Sequence, residues 1–199
     1  IMEQSGYYRP EQLRVIYNSL DYEPMKRCRE AMAPEERKSL RSSLFEDEAT
    51  PIVVAVGRVN KVKRLDLLLR AVAILHERNV EVNCLIVGDG VELEALQSLA
   101  EELGLLKTIR FYGAAYGNDA DRLLVASDLC VIPGDVGLSA MHSMSAGVPV
   151  ISHNNFNRQM PEFEAIVEGE TGAFYEYESD DSLVETIEDW LANSSRLSQ

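Results

Sequence analysis

Residues 52–75 read IVVAVGRVNKVKRLDLLLRAVAIL. The first five are apolar and mostly β-branched, which suits a strand buried on both faces. Gly57 then lets the chain turn tightly, and a basic loop follows. From Leu65 the apolar spacing changes. Leu65, Leu68, Leu69, Val72 and Leu75 fall on one stripe at helical period. The segment therefore predicts a strand, a loop and an amphipathic helix in immediate succession.

The same unit recurs downstream. Apolar runs lie at Val82–Val87, Thr108–Tyr112, Leu129–Ile132 and Val148–Ser152, with a weaker one at Ala173–Tyr175. Leu93, Leu96, Leu99, Ala100 and Leu103 form a second helical stripe, which Gly104 stops. Leu183, Val184, Ile187, Trp190 and Leu191 form a last one behind Asp180 and Asp181, acidic residues that suit a helix start. Continuous apolar strands alternating with helices imply an α/β fold: a Rossmann-like, doubly wound parallel sheet of about six strands. Residues 1–50 differ. Arg14–Tyr17 is a strand candidate, and Glu23–Met32 and Pro34–Leu44 read as polar helices. We divide the chain into this lead-in, expected to pack on the domain, and a Rossmann-like unit over 51–199.

Composition narrows the function. The 199 residues include 33 acidic and 19 basic ones, for a net charge of -14. Such a surface repels nucleic acid and anionic membranes, and no basic run offsets it. Cys28, Cys84 and Cys130 are widely spaced, without CxxC pairing. That argues against a disulfide framework or a zinc site and for a reducing, cytoplasmic compartment. No apolar run approaches a membrane span and no signal peptide is visible. Asn193-Ser194-Ser195 matches a glycosylation sequon, read here as chance. Because the chain starts at Ile1, it is expected to derive from something longer.

In an open parallel sheet, ligands bind beyond the carboxyl ends of the strands. The first such loop places Arg58, Lys61, Lys63 and Arg64 within seven residues. A diphosphate is the natural target, a solvated basic turn the alternative. The second loop, Gly88-Asp89-Gly90, imitates a dinucleotide fingerprint, but Leu93 stands at the third glycine. NAD or FAD is accordingly not expected. In the fourth loop Gly134 and Gly137 open a helix, whose free amides suit an anion; Ser139 adds a hydroxyl, and His142 sits one turn further on. An ordinary strand-to-helix turn would look the same. The fifth loop, His153–Glu162, is long and Asn-rich, fit for sugar or acceptor contacts or simply a mobile surface segment.

Taken together, these loops resemble the C-terminal domain of family-four, retaining GT-B glycosyltransferases. The resemblance runs through RVIYNSLDY (14–22), VVAVGRVNKVKRLDLLLRAVAIL (53–75), CLIVGDGVELEALQSLAEELGL (84–105), IRFYG (109–113), ASDLCVIPG (126–134), VGLSAMHSMSAGVPVIS (136–152) and MPEFEAIVEGETGAFY (160–175). It implies that Arg58 and Lys63 hold the donor diphosphate and act in catalysis by neutralising the leaving group. It implies that Gly137, Leu138 and Ser139 bind the distal phosphate, and that the base sits at Gly113, Ala114 and Ala115. Gly57 and Gly88, at the turns of the first two loops, complete the expected substrate-binding set. The family carries two glutamates where this chain has Gly134 and His142. Asp135 is then expected to replace the first, and His142 to bind ribose or phosphate.

The resemblance implies a UDP- or GDP-linked sugar as donor, with no cofactor and no metal. It implies transfer of a hexose-type sugar to a glycan or lipid-linked acceptor in polysaccharide or glycoconjugate assembly. The acceptor-binding N-terminal domain is expected to be missing from this chain, and any contact with the inner membrane face to run through it. Alone, the chain is expected to be inactive. Two alternatives stand beside this: a non-catalytic nucleotide- or sugar-sensing module or partner subunit, and an epimerase using His153 and Glu162.

Overall fold

The computed structural model describes residues 9–14 and 18–193. Six strands form one parallel sheet: β1 (Ile52–Val56), β2 (Asn83–Val87), β3 (Ile109–Gly113), β4 (Leu129–Val131), β5 (Val150–His153) and β6 (Gly172–Tyr175). Their order is β3-β2-β1-β4-β5-β6. All five pairings are parallel, with Val53 opposite both Cys84 and Leu129. The order reverses between β1 and β4, so the loops after those two strands diverge and leave a crevice, the binding position of doubly wound sheets.

Among the described residues seven α-helices cover the sheet: α1 (Tyr22–Ala31), α2 (Pro34–Leu44), α3 (Leu65–Glu77), α4 (Leu93–Glu102), α5 (Asn118–Ala126), α6 (Leu138–Ser145) and α7 (Asp180–Ala192). Alternate strand residues face opposite layers. Val53, Ala55, Cys84, Ile86 and Val131 point to α3, α4 and α7, where Leu68, Val72, Ala100, Ile187 and Trp190 are buried. Ile52, Val54, Leu85, Val87 and Cys130 point to the other layer, with Met25 of α1, Leu44 of α2, Leu124 of α5 and Ala140 of α6. Burial removes each such Leu or Val from water at a gain of about 1.5–3 kcal/mol. Continuous apolarity along β1 and β2 is thus the direct consequence of being covered twice.

Most sequence-derived elements recur within a residue or two. Val148 is the main exception: its amide donates to Ser143 O, capping α6, and Pro149 has no amide to give, so β5 starts at Val150. The helix Asn118–Ala126 was not singled out in sequence. It is short and opens on Asp119 and Asp121. The strand candidate at 14–17 lies, beyond Arg14, outside the described residues. Within the lead-in, Asp21 caps α1 by accepting from Glu23 N.

The polar helices α1 and α2 pack on α5, and α1 also touches α6. Their tie to the sheet is electrostatic. Arg41 is buried, and its guanidinium donates to Glu48 O, Thr50 O, Ala126 O and the Asp128 carboxylate at 2.7–2.8 Å. Asp128 in turn accepts from Arg37 and from Ile52 N, where β1 begins. Cys84 and Cys130 are free and buried in the sheet, which pushes their thiols up to about 12 and about 11 and leaves them inert. Among the described residues no helix is long and apolar enough to cross a membrane.

Candidate functional site

The loops after β1 and β4 are stitched together across the crevice. Gly134 N donates to Lys63 O at 3.0 Å and Asp135 N to Val62 O at 3.1 Å. This approach needs glycine: a Cβ on Gly134 would lie 1.8 Å from Val62 O. The position that the resemblance assigned to a glutamate is therefore a backbone crossing. The first loop itself is shaped by a 3-10 turn, Lys61–Lys63, capped by Asn60, and by Arg64 in the left-handed region.

The crossing brings Lys63, Asp135 and the start of α6 together. Lys63 is half-buried, and its ammonium donates to Asp135 O at 2.5 Å. Burial lowers its pKa, while the Asp135 carboxylate opposes the shift. A Cβ on Gly137 would lie 3.8 Å from Lys63 Nζ, and one on Gly57 would lie 4.0 Å from Ser139 Oγ. The start of α6 thus faces Lys63 and the first loop. Gly137 is its N-cap, with no side chain capping the helix, so the first amides of α6, from Leu138 and Ser139, stay available to an anion. Leu138 itself is exposed. Arg58 has no side-chain hydrogen bond or ion pair among the described residues, and it weighs electrostatically on Lys63.

A second feature adjoins this cradle. The carboxyl ends of β1, β2 and β3 enclose a cavity of about 320 Å3 lined by Gly57, Arg58, Gly88, Asp89, Ala114, Ala115 and Tyr116, with Val56 and Val87 behind. Gly88, at a φ of 154°, packs so closely on the first loop that a Cβ would lie 1.8 Å from Gly57 O. Its amide donates to Gly113 O, and Val59 N donates to Asp89 O. Packing thus requires a glycine at 88, and Gly57, Gly88, Ala114 and Ala115 share the cavity with Arg58. Gly113 is the hinge that leads into it. Tyr116, one residue beyond the expected Gly113–Ala115 stretch, is largely exposed at the cavity's edge; a lone aromatic among small residues is its signal in the sequence.

His142 was expected to face the ligand. Its Nε2 lies 2.7 Å from Asp121 Oδ1 on α5. Its buried partner sits in the helix that sequence did not single out, so this pairing was not legible.

The fifth loop is built rather than free. It contains two 3-10 turns, Phe156–Arg158 and Pro161–Ala165. Gln159 pins it to the fourth loop: its Oε1 accepts from Val136 N and its Nε2 donates to Ser152 Oγ and His153 O. His153 and Glu162 are buried. His153 Nδ1 accepts from Asn155 N at 3.2 Å, and its Nε2 lies 3.7 Å from Asp135 Oδ1. Burial lowers the imidazole pKa, against the pull of Asp135. Glu162 Oε1 accepts from Asn18 Nδ2 at 2.8 Å. Among the described residues, the buried side-chain atoms without a hydrogen bond are His153 Nε2 and Glu162 Oε2.

Comparison with known proteins agrees with this architecture. The family described as Glycosyl transferases group 1 matches residues 36–199. D-inositol 3-phosphate glycosyltransferase from Mycobacterium sp. (strain KMS) is 29% identical over 147 residues, covering 72% of this chain and 32% of the relative. The enzyme of the same name from Corynebacterium jeikeium is 33% identical over 113 residues, 52% and 27% of the two chains. The chain thus spans about a third of the length of these relatives. Among solved structures, Anabaena HepE in complex with UDP-glucose superposes with a TM-score of 0.80 at 22% identity, over 98% of this chain and 51% of that one. WaaG, a glycosyltransferase involved in lipopolysaccharide biosynthesis, gives 0.80 at 20% identity, over 98% and 52%. With a six-stranded parallel sheet around a basic crevice at its switch point and a family match over most of its length, the chain belongs to the group 1 glycosyl transferases.

Proposed function

We propose that the chain is the donor-binding domain of a retaining glycosyltransferase that moves a hexose-type sugar from a UDP- or GDP-linked donor to a glycan or lipid-linked acceptor. The carrying observation is the convergence of Arg58, Lys63 and the α6 start beside one cavity. The nucleoside would occupy that cavity and the diphosphate the basic cradle. As the bond between sugar and phosphate breaks, negative charge grows on the departing diphosphate. Two cations and a helix N-terminus already aimed there stabilise it without reorganisation. Anabaena HepE, of the same fold, binds UDP-glucose, which supports a nucleotide-sugar donor. The acceptor would be held by a partner domain across the crevice, as expected of a chain spanning about half of its structural neighbours.

The test is calorimetric titration of the chain with UDP and GDP. Arg58→Ala and Lys63→Ala should each weaken binding roughly ten- to hundredfold, since a charge-assisted hydrogen bond contributes about 1.5–3 kcal/mol. Arg58→Ala should leave stability within about 0.5 kcal/mol, as it has no partner to lose among the described residues. Unchanged affinity in both variants would sink the assignment. The absence of carboxylates at Gly134 and His142 favours a second reading, a non-catalytic nucleotide-sugar sensor. Turnover by the longer parent protein, lost on Lys63→Ala, would rule that reading out.

A further inference from the structure

We propose that the outer face of Phe156, in the loop after β5, is a stacking platform for a pyranose ring of the acceptor, so that the acceptor of this domain is a glycan. The inference rests on the donor-binding reading above and narrows it, since that reading leaves a glycan and a lipid-linked acceptor side by side. It adds a contact from this side of the crevice to those of the partner domain.

A single exposed aromatic is ordinary on a protein surface. This ring differs in being fixed. Phe156 opens the first 3-10 turn of the loop and is 47% exposed. One face lies on Phe163, with ring centroids 4.7 Å apart and planes 12° from parallel. Phe174 of β6 meets it at 5.0 Å and 82°. Phe163 and Phe174 are only 6.5 Å apart. Rings on opposite faces of Phe156 would be separated by the sum of their distances to it, so Phe174 stands beside its rim. The second face of Phe156 is therefore the one that meets solvent. Phe163 and Phe174 pack in turn against the core layer that contains α6. The loop itself is tied down. Gln159 joins Val136 N to Ser152 Oγ, which donates to Gly134 O, and the turn at Pro161–Ala165 packs on α6. A ring held in one plane by two others gives up little freedom when a ligand lies on it.

The sheet order gives the ring its place in the site. The cavity at the ends of β1, β2 and β3 and the loop after β5 lie on opposite sides of the crevice between β1 and β4. A donor with its nucleoside in that cavity and its diphosphate at Lys63 and the α6 start directs its sugar toward the β4–β5 side. Phe156, one strand beyond the cradle, meets what lies past the donor sugar. The ring's chemistry then selects the ligand. An aromatic face is negative, and the axial C–H groups of a pyranose are slightly positive, so the two stack with the hydroxyls left at the rim. Asn155 and Asn157 flank the ring in sequence, and their side-chain amides make no hydrogen bond among the described residues. Each offers one acceptor oxygen and two N–H donors, a match for neighbouring hydroxyls. An acyl or prenyl chain on the same face would cover those amides unpaired, at a cost.

The test is an NMR titration of the isotope-labelled chain with the methyl glycosides of glucose, galactose and mannose in both anomers, and with maltose, cellobiose and lactose. At least one of these should cause saturable shifts confined to the backbone amides of residues 154–158. Phe156→Ala and Phe156→Leu should weaken that binding roughly tenfold, and Phe156→Tyr, which keeps the ring face, should retain it. All three variants should bind UDP and GDP as the native chain does. A loop that stays silent with every sugar overturns the inference, and so does a Phe156→Leu variant that binds as the native chain does. Co-sedimentation with vesicles of phosphatidylglycerol and phosphatidylethanolamine that is lost in Phe156→Ala assigns the ring to a lipid surface and overturns it too. A lower affinity of Phe156→Ala for UDP-glucose, at unchanged affinity for UDP, assigns the ring to the donor's sugar and overturns the acceptor role. A native chain that binds neither UDP nor GDP yet shows the Phe156-dependent shifts overturns the donor-binding reading and supports the sugar-stacking face alone. Phe156→Tyr and Phe156→Leu decide the matter even if Phe156→Ala does not fold.

Discussion

The same two strands, β1 and β4, carry charged groups at both ends, and the two ends are built in opposite ways. At the amino end, Arg41 spends its donors on three carbonyls and Asp128, and Asp128 spends its acceptors on Arg41, Arg37 and Ile52 N. At the carboxyl end, Arg58 after β1 has no partner among the described residues, and in the neighbouring β5 and its loop His153 Nε2 and Glu162 Oε2 are buried without one. A saturated network rigidifies a fold, because any further ligand would have to break bonds already made. Groups held open by a packed scaffold are ready for a ligand, and leaving them open costs stability. The contrast separates scaffold from site more sharply than charge alone does.

The strongest way to break this contrast is Asp128→Ala. It would strand a buried guanidinium with carbonyls as its only acceptors. Losing one partner of a buried pair costs about 3–5 kcal/mol. The urea midpoint should fall accordingly at unchanged slope. A loss below about 1 kcal/mol would mean that the amino-end network is ornamental, and the contrast would collapse. Gly134→Glu comes next. It reinstates the family residue at a point where Val62 O lies 1.8 Å from the new Cβ. Forcing the loops apart should cost about 1–3 kcal/mol. It should also weaken nucleoside-diphosphate binding, since Gly134 N and Lys63 O separate. A variant that instead binds UDP normally at native stability would show that the crossing is incidental.

The scaffold was largely legible in sequence, and the candidate site only in its basic first loop, for physical reasons. β1 and β2 announce themselves because double-sided burial demands unbroken apolarity, and α3 because one stripe must be apolar. Arg58 and Lys63 are visible because four cations in seven residues stand out in an acidic chain. The Arg41–Asp128 clamp joins residues 87 apart, and His142 meets Asp121 across two helices. Pairings of that kind depend on tertiary placement, which no local pattern encodes. Gly88 and Gly134 read as loop glycines in sequence; their reason, a carbonyl of another loop at contact distance, exists only once the sheet order is known.

The smallest effect concerns the open end itself. Burial lowers the pKa of His153 from its usual 6.5, and Arg158 adds to this while Asp135 opposes it. The sign follows from proton uptake. Below about pH 6.5 the unfolded chain protonates this imidazole before the folded chain does. The unfolded state then holds more protons, so the contribution to stability is complete above that pH and declines as the pH falls toward the folded value. His153→Gln removes the titration. Native and variant chains should therefore show melting temperatures that converge as pH falls from about 7 to about 5, below which carboxylates dominate both curves. Parallel curves through this range would mean that the Asp135 carboxylate already offsets burial and that the imidazole is balanced between its two forms. In that case the carboxyl end would be as satisfied as the amino end, and the difference between them would rest on Arg58 and Glu162 alone.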